Sequence, residues 1–249
     1  MKLVVLAAGY ATRLYPLTRD RPKHLLEVAG RPVLDHALES LEPIGFDGAF
    51  VVTNRKFAER FREWAREYRG QVRPEIVDDG TTSEEDRLGA IGDLALVLRE
   101  AAVDDDLVVA AGDNLFTEKL DGFGHEARER HAPLLAVYDV GDLEAIRRYN
   151  AIEIDADERI TFFEEKPERP RSTLTGIALY HYPRAALPLV GRYLDEGNNP
   201  DQPGRLVEWL YRRVPVYVWR VPGEWLDIGS PETLAEADRV FTALGAQRA

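Results

Sequence analysis

Leu3-Val4-Val5-Leu6-Ala7-Ala8-Gly9-Tyr10-Ala11-Thr12-Arg13-Leu14 opens the chain, and Pro22-Lys23 follows closely. An unbroken apolar run ended by a glycine reads as a buried strand running into a turn. A strand apolar on both faces belongs inside a sheet that is covered on both sides, as parallel α/β sheets are. Lys2 ahead of this run imitates the start of a signal peptide. The run is short, however, and Arg13 and a charged loop follow it instead of a cleavage site.

The alternation continues down the chain. Apolar runs of strand length recur at 49–53, 75–77, 107–111 and 134–138, with helical periodicity between them at 33–41, 57–68, 88–102 and 121–130. This pattern predicts a Rossmann-like, doubly wound, mostly parallel α/β sheet flanked by helices. Past Asp139 the rhythm changes. Strand patterns at 151–154, 160–164 and 175–182 have little helix between them and predict an antiparallel or mixed region joined to the first sheet. Helices are expected near 187–194, 206–212 and 231–244, and a strand at 214–221. Asn198, Asn199 and two prolines mark 197–204 as a surface loop.

In a doubly wound sheet, ligands bind beyond the carboxyl ends of the strands, where Gly9 to Lys23 must lie. Glycine lets a backbone approach a ligand closely, and successive amides can cradle phosphate oxygens. Arg13 offers a planar fork and Lys23 a mobile point charge. The segment fits neither the P-loop nor the Gly-x-Gly-x-x-Gly pattern. By spacing alone it reads equally as an anion site or as a glycine turn with surface charges.

The 249 residues suit one large domain, and 45% hydrophobic with 31% charged residues fits a globular chain with a sizeable core. No apolar stretch approaches the roughly 20 residues that span a bilayer. The chain has no cysteine, which excludes disulfides and thiolate metal sites and agrees with a reducing, cytoplasmic compartment. A net charge of −12 opposes nucleic acid as a partner. Residues 1–31 run the other way: Lys2, Arg13, Arg19, Arg21, Lys23 and Arg31 face only Asp20 and Glu27. A small basic site on an acidic protein suits a small anionic ligand.

The whole string of segments narrows the choice. Leu6-Ala7-Ala8-Gly9-Tyr10-Ala11-Thr12-Arg13-Leu14, then Pro22-Lys23, then Gly30-Arg31-Pro32 resembles the sugar-1-phosphate nucleotidylyltransferases, or NDP-sugar pyrophosphorylases. Four further segments follow in that family's order: Leu88-Gly89-Ala90-Ile91-Gly92, Gly112-Asp113-Asn114, Glu164-Glu165-Lys166-Pro167 and Trp225-Leu226-Asp227-Ile228-Gly229. The resemblance covers roughly residues 1 to 240 and implies one nucleotidyltransferase domain over 1–249. Its nucleotide-binding part would span about 1–138 and its small antiparallel sugar-binding part about 139–240.

Residue roles come with the resemblance. It implies that Arg13 and Lys23 are catalytic, that Ala8, Gly9, Tyr10, Ala11, Thr12, Leu88 and Gly89 bind the nucleotide, and that Asn150, Glu165 and Lys166 bind the sugar phosphate. Asp113 and Asp227 would hold Mg2+, and the partners would be an NTP and a sugar 1-phosphate. The nucleophile would be a phosphate oxygen, already anionic, so no general base is needed. His24, His36, His125, His131 and His181 show no metal-ligand spacing, and Tyr149 and Trp225 read as core residues. Relatives are often oligomeric, which implies a homo-oligomer by analogy alone.

Two departures stand out. Ala11 occupies the family's second glycine; if that position needs positive φ, alanine is strained there by about 1 kcal/mol or more. Asn150 stands where the glucose-1-phosphate thymidylyltransferase branch, otherwise the most similar, has glycine. A UTP-dependent enzyme, a phosphocholine cytidylyltransferase of the same fold, and a non-catalytic NDP-sugar-sensing subunit remain alternatives.

Overall fold

The computed structural model describes residues 1–248. Its strands are β1 (Lys2–Leu6), β2 (Glu27–Val28), β3 (Arg31–Pro32), β4 (Ala49–Thr53), β5 (Glu75–Asp78), β6 (Leu107–Ala111) and β7 (Asn114–Phe116). They continue with β8 (Leu134–Asp139), β9 (Asn150–Ile154), β10 (Ile160–Glu165), β11 (Leu174–Tyr182), β12 (Tyr217–Arg220) and β13 (Trp225–Asp227). The helices are α1 (Val33–Leu41), α2 (Ala58–Glu67), α3 (Ala90–Glu100), α4 (Asp121–Arg130), α5 (Leu143–Ile146), α6 (Pro188–Asp195), α7 (Pro203–Leu210) and α8 (Pro231–Arg248). None of the described helices is long and apolar enough to cross a membrane.

Seven strands form the main sheet in the order β12-β8-β11-β6-β1-β4-β5. Pairing is parallel throughout except for β11, which runs antiparallel to both β6 and β8. The expected doubly wound sheet is therefore present, with β1 at its switch point between β4 and β6. Alternate side chains of β1 enter opposite cores, as the two-residue period of a strand requires. Leu3 and Val5 join Leu34, Leu38, Phe61 and Phe123 on one face, and Val4 joins Ile91, Leu94, Val190 and Val207 on the other.

Three features differ from the expectation. The strand expected at 175–182, in a region joined to the first sheet, lies within that sheet as the antiparallel strand between β8 and β6. Nearly all of its residues are buried, yet a buried apolar run does not say which strands flank it. The strand expected at 214–221 also joins this sheet, beside β8. The helix expected at 88–102 starts only at Ala90, because Gly89 has φ +78° and a Cβ there would lie 2.7 Å from the Pro200 carbonyl oxygen. The antiparallel region itself is the β9–β10 hairpin.

Two very short pairings escaped sequence reading, and one positions the site. β13 runs antiparallel to β7 with Asp227 opposite Asn114, and the Ile228 amide donates to the Asp113 carbonyl at 3.0 Å. Segments more than a hundred residues apart are thus locked side by side. A third core under this ladder, built from Val28, Val33, Leu115 and Ile228, anchors it to α1 and α8.

Asn150 joins the hairpin to the sheet. Its Oδ1 accepts from the Gly176 amide at 2.6 Å, and its Nδ2 donates to the Gly176 carbonyl at 3.0 Å. These bonds satisfy the backbone of β11 beside its irregular register with β8. Asn150→Ala should leave a buried amide without a partner and cost about 1–3 kcal/mol. Urea unfolding of the two proteins checks this; equal midpoints would contradict it.

Candidate active site

The loop after β1 is held in shape by side chains that the sequence did not single out. Asn54, fully buried, donates from Nδ2 to the Ala8 carbonyl at 2.8 Å and accepts the Phe57 amide on Oδ1 at 3.2 Å. Gly9 follows, and no atom lies within 4 Å of where its Cβ would be, so its backbone faces open space. Tyr10 turns inward, its hydroxyl 3.2 Å from the Thr81 hydroxyl. Ala11 is left-handed, at φ 51° and ψ 44°. The conditional expectation of strain is met, and two hydrogen bonds hold the residue there. Its carbonyl accepts from the Leu14 amide at 3.0 Å and from the buried Thr18 hydroxyl at 2.8 Å. Thr12 begins the 3-10 turn that leaves Arg13 exposed and tucks Leu14 inward.

A cleft of about 450 Å³ opens beyond the strand ends, and Ala8, Gly9, Arg13, Lys23, Gly89, Asp113 and Asp227 all line it. Residues from four distant segments therefore meet as the resemblance implied. Lys23 Nζ donates to Asp113 Oδ2, and Asn114 Nδ2 donates to Asp113 Oδ1 at 3.0 Å. Burial pushes the Asp113 carboxyl up, but Lys23, with the hydrogen bond from Asn114, holds it below the usual range. Asp227 is pushed up to about 6, first by burial and then by the charge of Asp113, against the pull of Lys23 and Arg13. His24, in the same wall, is driven down to about 3 by burial and by Lys23, so it is neutral.

Trp225, read from the sequence as a core residue, packs against the core and, with Tyr149, lies behind the aspartates. Trp225 Nε1 donates to Asn114 Oδ1 at 2.5 Å, and its ring meets Tyr149 edge-on with centroids 5.4 Å apart. Tyr149 leads into β9, so this contact ties the hairpin to the aspartates. Asn150, Glu165 and Lys166 lie on that hairpin, outside the cleft's wall. Asn150 and Glu165 are paired across it, and the exposed Lys166 donates its amide to the Tyr149 carbonyl at 2.8 Å. Glu165 Oε2 is buried without a partner, in the space where a side chain on Gly204 would otherwise sit. Burial lifts this carboxyl to about 7.

Sequence reading missed the other end of the cleft. The loop at 197–204 is not simply surface: Asp201, Gln202 and Pro203 line the cleft. Arg87 clamps Asp201 with two hydrogen bonds of 3.1 and 3.0 Å, and the Ile91 amide donates to the Pro200 carbonyl at 2.8 Å. Leu88, half-buried, lies between Arg87 and Gly89 but outside the wall. Asp79 and Asp93 also line this end, and their carboxyls are in hydrogen-bond contact. Asp93 is raised to about 8, first by burial and next by the charge of Asp79. No motif marks either residue; the signal was only an acidic residue on the apolar face of an expected helix.

The family model describing nucleotidyl transferases matches residues 2–243. The chain belongs to this family. This nucleotidyl transferase is 30% identical over 240 residues to the UTP–glucose-1-phosphate uridylyltransferase AglF of Haloferax volcanii, covering 96% of each chain. It is 29% identical over 191 residues to a glucose-1-phosphate thymidylyltransferase of Streptomyces antibioticus, covering 73% of its own length and 49% of the relative's. Its fold matches a UDP-glucose pyrophosphorylase solved with UDP-glucose at a TM-score of 0.84, with 19% identity over 97% of this chain and 98% of the other.

Two stability predictions follow from the loop and the carboxyl pair. Ala11→Gly removes the left-handed strain and should stabilise the nucleotidyl transferase by about 1 kcal/mol, a melting shift of about 2–4 °C by calorimetry. For Asp93, the folded chain keeps a proton up to about pH 8, whereas the unfolded chain releases it near its ordinary value of about 4. Between those values the folded state binds more protons, so stability falls as pH rises. Asp93→Asn should therefore melt above the parent at pH 8, by a margin that narrows at pH 5. A constant margin would contradict the assignment of the proton.

Proposed function

We propose that the chain transfers a nucleoside monophosphate from an NTP to a sugar 1-phosphate, releasing pyrophosphate, and that UTP or dTTP with glucose 1-phosphate is its substrate pair. The observation that carries this reading is the meeting of Arg13, Lys23, Asp113 and Asp227 in one cleft, beside a loop whose glycine leaves room for a ligand. The names of the relatives favour the same pair.

Two anions must be brought together, so positioning and charge neutralisation dominate the barrier. A phosphate oxygen of the sugar 1-phosphate attacks the α-phosphorus in line, and pyrophosphate leaves. Arg13 stabilises the charge gathering on the departing group. Lys23 steadies the α-phosphate and the incoming oxygen, and Lys166 the sugar phosphate. Glu165, on the hairpin beside the cleft, is the residue that the resemblance gives to the sugar hydroxyls.

The donor set fits magnesium. Two carboxylates face each other closely enough for Asp113 to raise Asp227, and a second positive charge would relieve that repulsion. No cluster of three or more His, Cys, Asp or Glu poised for a metal occurs among the described residues. This agrees with an ion that takes one or two carboxylates and completes its shell with water and substrate phosphates. When bound, such an ion neutralises phosphate charge and orients the triphosphate.

A panel of NTPs with sugar 1-phosphates, read by pyrophosphate release in magnesium, tests the reading. Release with UTP or dTTP and glucose 1-phosphate is expected. Tight NDP-sugar binding with no release from any pair would favour a sensing subunit. Arg13 and Gly9 are both exposed, so their variants should fold normally. Arg13→Ala should lower kcat about 100- to 1,000-fold. Gly9→Ala, which puts a methyl group into the cleft, should raise the KM for NTP about tenfold.

A further inference from the structure

Asp93 lies in the first turn of α3, where its amide donates to the Gly89 carbonyl at 2.8 Å. Its side chain lines the cleft, yet the residue is only 6% exposed. Oδ1 is wholly buried and meets no N–H or O–H of the protein. The group it touches is the Asp79 carboxyl, itself an acceptor, whose Oδ1 takes the Thr81 amide at 2.7 Å and the Thr81 hydroxyl at 2.8 Å. Thr81 in turn meets Tyr10 of the loop after β1. A chain of polar contacts thus runs from the proposed phosphate end of the cleft to Asp93.

Packing does not explain a carboxyl here. Ile91, Leu94 and Val97 of the same helix are buried in the core, and an apolar residue at 93 would avoid the cost of burying a carboxyl beside another. Two carboxyls in contact away from water hold one proton between them, and that proton makes the bond that joins them. That bond occupies one oxygen of Asp93, and the second stays an acceptor on a side chain that lines the cleft. A ligand in the cleft can supply its donor.

Topology says which part of the ligand. Asp79 follows β5 and Asp113 follows β6, with β4 and β1 between them. Three strand spacings, about 14 Å, separate those strand ends. A nucleotide with its phosphates at Lys23 and Asp113 would lay its base toward Asp79 and Asp93. Uracil and thymine present one ring N–H between two carbonyls, which suits a single free acceptor. Cytosine presents an acceptor at that ring position.

We propose that Asp93 reads the nucleobase by accepting the ring N–H of uracil or thymine, and that Asp79 is the positioning residue that fixes the Asp93 carboxyl. This rests on the cleft being the NTP site described above.

The test compares kcat/KM for UTP and for N3-methyl-UTP, with glucose 1-phosphate, in the wild type, Asp93→Ala and Asp93→Asn. The wild type should prefer UTP by about tenfold or more. Asp93→Ala should bring the ratio to about unity, mainly by losing UTP. In Asp93→Asn the amide N–H can supply the bond to Asp79 while the carbonyl still accepts from the base, so the preference should return. Equal use of the two nucleotides by the wild type would overturn the proposal. So would a wild-type ratio in Asp93→Ala, or loss of the ratio in a folded Asp93→Asn. If Asp93→Ala fails to fold, the other two proteins still decide. Failure of the cleft's assignment shows as no UTP turnover at all, and failure of the Asp93 role as turnover without selectivity.

Discussion

Two carboxylates held together in a partly desolvated corner set the terms for the rest of the structure. Asp113 and Asp227 repel each other, and Asp227 is raised as a result. Backbone hydrogen bonds hold them there: the β7–β13 ladder, the Ile228 amide on the Asp113 carbonyl, and the core beneath it. Lys23 offsets part of the repulsion by direct contact with Asp113. The arrangement is stable because the ladder fixes the backbone whatever the side chains prefer. It suits the proposed chemistry, in which the remaining negative charge would hold a divalent ion and, with it, phosphates.

The same logic recurs at smaller scale. Ala11 is left-handed because its carbonyl serves both Leu14 and Thr18, and the two bonds offset the strain. Asn150 satisfies backbone groups of β11 from the neighbouring hairpin. Asp93 and Asp79 bring two carboxyls together at the end of the cleft, where burial raises both. At each position a local preference is overruled by contacts with polar groups outside the residue's immediate neighbours. These are also the places where the chain departs from its family's pattern or carries an unexpected polar group.

Long, strongly periodic elements were legible in the sequence. The strands at 49–53 and 107–111 and the helix at 121–130 match the observed β4, β6 and α4, because burial on fixed faces imposes the period. Two- and three-residue strands carry no period, so β2, β3, β7 and β13 left no trace. Cleft-lining residues were legible where a motif follows a strand, as for Gly9 and Asp113. The site was not legible at Asp79, which follows β5 with no motif to mark it, or at Asp93 and Asp201, which enter the cleft through one turn of helix and a loop clamped by Arg87.

By itself, the sequence determined the doubly wound sheet, the position of the basic loop after its first strand, and the ordered segments that place the chain among the nucleotidyl transferases. These are local properties: an apolar period, a glycine, a charge at fixed spacing. Only the tertiary structure decided that β11 lies between β6 and β8, that Asp227 stands beside Asp113, and that the carboxyls of Asp79 and Asp93 line the far end of the cleft. Those facts are pairings between residues distant along the chain. A one-dimensional pattern records that each residue wants to be buried or hydrogen-bonded, but not with which partner.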